Sequence, residues 1–223
     1  MQIWNLPDPA HVLSGDSVRR GAENTQECFG TGGTIVEKFE NLTEVELSSE
    51  TKYDGDLLHI RRDTVRLPNG KTATREYNIH YGAVCVIPLL ENGDVLLERQ
   101  YRYPLRQVIT EIPAGKLDAP DENPLEAAKR ELREETGATA REWHELGLFC
   151  PVGAYSTETI HMFLATGLTF GERELDEDEF LNVFRMPLRE LAEQVVDGKI
   201  PDAKTQAAAM RALWMVEHGR VRL

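Results

Sequence analysis

The stretch from Asn123 to Gly137 admits little but a helix, and its charges restrict what that helix can lie against. Asn123 is a capping residue, Pro124 suits the first helical position, and Glu126 stands three after the cap, as in a capping box. Gly137 supplies a left-handed stop. At about 100° per residue, Leu125, Ala128 and Leu132 share one face and form the stripe that should be buried. Glu131, Glu134 and Glu135, spaced i, i+3 and i+4, fall within an arc of roughly 100° on another face. Like charges so placed repel by about 0.2–0.5 kcal/mol per pair, and they crowd the helix end where the macrodipole disfavours anions. Something positive must offset this. Arg130 and Arg133 are candidates, and so is a hard divalent cation, whose preferred ligands are carboxylate oxygens. A solvated charged helix would account for the run taken alone, so the flanking residues decide.

Before the helix the chain changes character twice. Residues 1 to about 30 carry Pro7, Pro9 and many small polar residues with little periodicity, and are expected to form an irregular arm docked through Trp4 and Leu6. From Gly33 apolar and polar residues alternate, in Thr34–Glu40, Val45–Leu47, Leu57–Leu67 and Thr72–Ile79, as in half-exposed strands. Strands this few and short bury too little alone, so this sheet, placed at residues 31–80, should lean on the rest of the chain or on a second copy. Residues 81–223 then form the main domain. Gly82–Leu90 is a continuous apolar run, the mark of a strand covered on both faces. Asn92-Gly93 predicts a hairpin in which Val95–Tyr101 pairs back on that run. Further strands are expected at Trp143–Cys150, Ile160–Ala165 and Phe180–Met186, and helices at Leu188–Val196 and Asp202–Glu217. Pro151–Thr157 and the acidic Asp176–Glu179 read as loops, and Trp143 and Trp214 as core residues. The sum is an α/β chain: a mixed sheet between helices, with a small antiparallel β appendage in front.

Composition excludes several classes of partner. A formal charge of −13 argues against nucleic acid and anionic membrane surfaces, which need basic protein surface. Cys28, Cys85 and Cys150, an odd count at no ligand-like spacing, point to free thiols in a reducing compartment, with the cytoplasm as the default. An acidic protein acting on an anionic substrate needs local Arg and Lys, or metal ions.

Gly115, Glu122 and the run Arg130-Glu131-Leu132-Arg133-Glu134-Glu135-Thr136-Gly137-Ala138 resemble the Nudix box, with its Arg-Glu-apolar-x-Glu-Glu-x-Gly core. The gap from Glu122 to Arg130 fits the pattern, whereas six residues separate Gly115 from Glu122 where the family has five. The extra residue lies in a turn with Pro120, where insertion costs little. Outside the box, Glu98–Arg102, Glu111–Gly115, Pro151–Glu158 and Ile200–Thr205 are similar to the ADP-ribose pyrophosphatase branch.

The resemblance implies a Nudix α/β/α sandwich and Mg²⁺- or Mn²⁺-dependent hydrolysis of ADP-ribose to AMP and ribose 5-phosphate, using more than one ion. Another nucleotide sugar or a dinucleotide as substrate, or a non-catalytic ADP-ribose sensor, are the alternatives. It further implies Glu131 and Glu135 as direct metal ligands, Glu134 sharing in the task, and the main-chain carbonyl of Ala114 completing the set. Arg130 would hold a carboxylate in place. Glu158 is the expected general base, and Arg75, Arg102 and Glu111 the expected contacts to substrate or its surroundings. Arg75 would act across a homodimer whose N-terminal sheets exchange.

Overall fold

The computed structural model describes residues 41–174 and 180–221. The expected arm with Trp4 and Leu6, the strand at residues 34–40, Cys28 and the Asp176–Glu179 loop lie outside these. The chain divides into two compact units, Met1–Glu76 and Tyr77–Leu223. The described part of the first is an antiparallel sheet of β1 (Val45–Asp54), β2 (His59–Arg66) and β3 (Thr72–Ile79), in that order. Every residue of β1 is exposed.

The second unit is built on β4 (Ala83–Pro88), all six residues of which are buried, as its uninterrupted apolar sequence requires. Alternate side chains of β4 enter two different cores. Cys85 and Ile87 pack with Met162 and Leu164 of β9 (Ile160–Phe170) against α2 (Leu188–Val196) and α3 (Ala203–Glu217). Val84 and Val86 pack with Phe163 of β9 against Ala127, Ala128 and Leu132 of α1 (Pro124–Thr136). Helices thus cover both faces, which is an α/β/α sandwich.

The four-stranded sheet has the order β7-β4-β9-β8, with β7 at Ala114–Lys116 and β8 at Ala138–Phe149. It is mixed: β4 runs parallel to β9, while β7 and β8 pair antiparallel with their neighbours. A second, antiparallel sheet has the order β10-β5-β6, formed by Leu181–Pro187, Asp94–Arg102 and Gln107–Glu111. Here the expected hairpin is corrected. Past the single bridge Leu89↔Val95 at the Asn92-Gly93 turn, β5 leaves β4 and joins the second sheet. The turn chemistry is local, but β5 presents Leu96 and Leu97 to the two cores on either side, and pairing with β6 and β10 serves both. Trp214 is also corrected. It is 46% exposed on α3, stacked on His218 at 4.1 Å, because the buried side of α3 is made by Ala208, Ala209 and Ala212. Among the described residues no helix is long and apolar enough to cross a membrane.

Candidate active site

The carboxylate helix α1 begins as its sequence dictates. The Asn123 side chain accepts hydrogen bonds from the N–H groups of Leu125 and Glu126, and Pro124 occupies the first turn without needing a donor. It ends at Gly137 with φ 70°, whose N–H closes on the Arg133 carbonyl at 2.8 Å. A Cβ at Gly137 would stand 2.6 Å from the Gly171 carbonyl, so both conformation and space demand glycine.

On the exposed side of α1, Arg130 gathers the acids. Its Nη1 contacts Glu131 Oε1 at 2.7 Å and Glu134 Oε2 at 3.3 Å, and its Nη2 reaches Glu122 Oε1 at 3.4 Å and Asp118 Oδ2 at 3.5 Å. Burial of the guanidinium would lower its pKa, but the surrounding carboxylates, Glu131 foremost, raise it, so the charge is fixed. Glu122 is held at both ends: the Asp118 N–H donates to its Oε2 at 2.6 Å, and its own N–H closes a turn on the Ala119 carbonyl at 3.2 Å.

Glu135 is the buried member of the face. It is 3% exposed and accepts a hydrogen bond from the Ala114 N–H at 3.0 Å. Glu131 lies directly against Gly115: a Cβ there would occupy the space of the Glu131 carboxylate. Strand β7 and helix α1 therefore meet through two carboxylates and a missing side chain. The donor set is hard oxygen from Glu122, Glu131, Glu134 and Glu135, and a guanidinium now sits among three of the four. That is the chemistry Mg²⁺ and Mn²⁺ prefer. Among the described residues no three acidic, His or Cys side chains converge as a ready-made cage; Arg130 contacts Glu122, Glu131 and Glu134, and the Ala114 N–H contacts Glu135.

Three residues upstream of Ala114, Glu111 anchors a second cluster. It is 1% exposed and stands opposite Glu98, itself buried, in the β5–β6 register. Two carboxylates so placed are unfavourable unless compensated. Arg102 grips Glu111 with both prongs, Nε to Oε1 at 2.6 Å and Nη2 to Oε2 at 2.8 Å. Lys204 of α3 contacts the same Oε2 and also reaches Asp202 Oδ1 at 3.1 Å. Burial pushes the Glu111 carboxyl up, but Arg102 and Lys204 outweigh it and hold the group below its ordinary value. Lys204 goes the other way. Burial opposes its charge, yet Asp202 and Glu111 keep its pKa above the usual lysine range. Asp202 also caps α3, accepting from the Thr205 N–H at 2.9 Å, while Thr205 Oγ1 accepts from the Ile112 N–H at 3.0 Å. Residues 111 to 114 are thus held from both sides, by α3 at Glu111 and Ile112 and by α1 at Ala114.

Arg102, Glu111 and Lys204 border a cavity of about 370 Å³, which Glu158 also lines. Glu158 follows the loop that returns beside His80 through Thr157, and its N–H donates to Ser156 Oγ at 3.1 Å. Of the residues the sequence singles out, Arg102, Glu111 and Glu158 share the cavity, and Ala114, Arg130, Glu131, Glu134 and Glu135 share the helix site. Arg75 is in the first unit, on β3, and its fork is bound to Glu44 of that unit. The sequence alone does not single out Lys204 and Asp202 as site residues. Their only signal is the Ile200–Thr205 segment, which carries no periodicity that would point it at Glu111.

A mixed sheet sandwiched by helices, with a carboxylate-faced helix backed by a glycine and a cavity bordered by Arg102 and Lys204, is an arrangement that matches a known family of hydrolases. The chain belongs to the Nudix family: residues 79–213 match the NUDIX domain. Residues 46–78 match the nucleoside diphosphate sugar hydrolase N-terminal domain. The chain is 39% identical over 170 residues to an ADP-ribose pyrophosphatase of Bacillus subtilis, a match covering 75% of this chain and 91% of that one. It is 38% identical over 167 residues to a methanol dehydrogenase activator of Bacillus methanolicus, covering 74% and 90%. A solved structure, that of an ADP compounds hydrolase, superposes with a TM-score of 0.71 at 25% identity, over 82% of this chain and 100% of that one.

Proposed function

We propose that this Nudix hydrolase is a metal-dependent diphosphatase that cleaves ADP-ribose, or a related nucleoside diphosphate sugar, to a nucleoside monophosphate and a sugar phosphate. The observation that carries this reading is the pairing of the two clusters. The carboxylate face of α1 and the cation-bearing cavity are joined through four consecutive residues, Glu111 to Ala114. The matches to an ADP-ribose pyrophosphatase and to a nucleoside diphosphate sugar hydrolase domain point the same way.

Glu131 and Glu135 would hold Mg²⁺ or Mn²⁺, more than one ion, with Glu134 sharing and the Ala114 carbonyl completing the set. Bound there, such ions would supply neutralisation of diphosphate oxygens and a lowered pKa for the attacking water. Arg130 holds the carboxylates in place and offsets their mutual repulsion. Arg102 meets the substrate's anionic oxygens with its fork, which Glu111 holds at the cavity wall until then. Glu158 accepts the proton of the attacking water as that oxygen bonds to phosphorus. The bridging P–O bond then breaks, and its oxygen leaves with the departing phosphate. A homodimer acting in the cytoplasm, with Arg75 reaching the partner's site, completes the reading; the exposed β1 supports the need for a second copy.

The test is Glu135→Gln. The amide oxygen still accepts the Ala114 N–H, so the fold should persist, while hydrolysis of ADP-ribose in Mg²⁺ should fall on the order of 10²-fold or more. Turnover at the parent rate would remove the assignment. Comparing kcat/KM over ADP-ribose, other nucleoside diphosphate sugars and dinucleotides identifies the substrate.

A further inference from the structure

The Arg102–Glu111–Lys204 group is asymmetric in a way that a purely structural ion cluster need not be. Glu111 is buried at 1% side-chain exposure and Lys204 at 12%, whereas Arg102 is 41% exposed on the cavity wall. The carboxylate therefore has one inner cation and one outer. The inner one is fixed twice over, by Glu111 and by the capping residue Asp202. The outer one spends its fork on Glu111 while bordering the space where an anion would enter.

An arginine that must turn toward a diphosphate has to leave a buried carboxylate behind. Leaving it uncompensated would be strongly unfavourable and would hold the arginine back. We propose that Lys204 is a positioning residue: by keeping Glu111 paired, it frees Arg102 to exchange that carboxylate for the substrate's phosphate oxygens. Glu111 holds the guanidinium until substrate binds, Lys204 makes its release inexpensive, and the hand-over sets substrate affinity. This rests on the diphosphatase reading, since it needs an anionic ligand beside Arg102. Lys204 itself need not touch the substrate.

The experiment measures kcat and KM for ADP-ribose in Mg²⁺ for the parent, Lys204→Met, Glu111→Gln and the double variant. Lys204→Met leaves Arg102 as the main counter-charge of a buried carboxylate. KM should rise about tenfold, with kcat within about twofold of the parent. Adding Glu111→Gln removes the charge that detains Arg102, so the double variant should return KM to within about threefold of the parent. A lysine that only stabilised the fold would lower Tm and leave KM alone. Unchanged KM in Lys204→Met, or a raised KM that Glu111→Gln does not rescue, overturns the proposal while leaving the diphosphatase reading standing. If Lys204→Met does not fold, the double variant decides: a parent-like KM supports the hand-over and a raised KM overturns it. A parent that hydrolyses neither ADP-ribose nor any other nucleoside diphosphate sugar overturns the functional reading, and the hand-over with it.

Discussion

At Gly115 the backbone and the Glu131 carboxylate compete for the volume of a single Cβ. Gly115→Ala should therefore push Glu131 off its position while leaving α1 capped and its apolar face buried. A misplacement of about 1 Å at a reacting centre can cost on the order of 10²-fold in rate. The expected outcome is such a loss in kcat for ADP-ribose with a fall of only a few degrees in Tm, read by steady-state kinetics and thermal unfolding. An alanine variant with parent kcat would show that Glu131 does not need that place. The glycine and the glutamates were legible in the sequence because they repeat at helical spacing or stand beside it. Lys204 was not: its partner Glu111 lies 93 residues earlier, and no local pattern joins a strand end to a helix start. Glu122 falls between these cases. Its spacing from Gly115 departs from the family pattern, and what places its carboxylate 3.4 Å from Arg130 is the turn at Ala119, which that pattern does not describe.

At the level of elements, α1 shows how a helix can be over-specified at its ends in order to tolerate its middle. Three glutamates along one face repel, and the cap at Asn123, the stop at Gly137 and the Arg130 contacts offset them. Asn123→Ala removes two accepted N–H groups and should cost about 1 kcal/mol. For a chain of this size that corresponds to a fall of about 2–4 °C in Tm. Because the carboxylates sit in the second half of the helix, kcat at 25 °C should stay within about twofold. A large kcat loss with unchanged Tm would mean that the cap acts on the site and not on the helix. Helix positions were readable because caps and the 3.6-residue period are local. Strand partners were harder: β5 follows a strong turn signal and yet pairs with β6 and β10, because its partner is chosen by two cores that the turn does not encode.

Across the whole molecule the buried residues are very unevenly shared. Both hydrophobic clusters belong to Tyr77–Leu223, whereas among the described residues of Met1–Glu76 only Asp63 and Val65 are buried. Three strands with so little interior do not stand alone in water. Val45, Leu47 and Tyr53 of β1 are 52%, 43% and 58% exposed, an apolar edge that a second copy of the chain would cover. If that is how the sheet is stabilised, light scattering of the parent should give twice the 25.2 kDa chain mass. Leu47→Asp should then shift the mass to 25.2 kDa by placing a charge in the covered edge. Should Arg75 also act in the partner's site, the same variant should lose specific activity as it dissociates, and the parent should lose it on dilution. The contact of Arg75 with Glu44 is exposed and therefore weak, so it does not bar Arg75 from leaving for a stronger anion. A parent that scatters at 25.2 kDa and keeps constant specific activity on dilution removes both the dimer and the cross-subunit role of Arg75. Substrate contact would then have to come from the Tyr77–Leu223 unit alone, with Arg102 as its principal arginine.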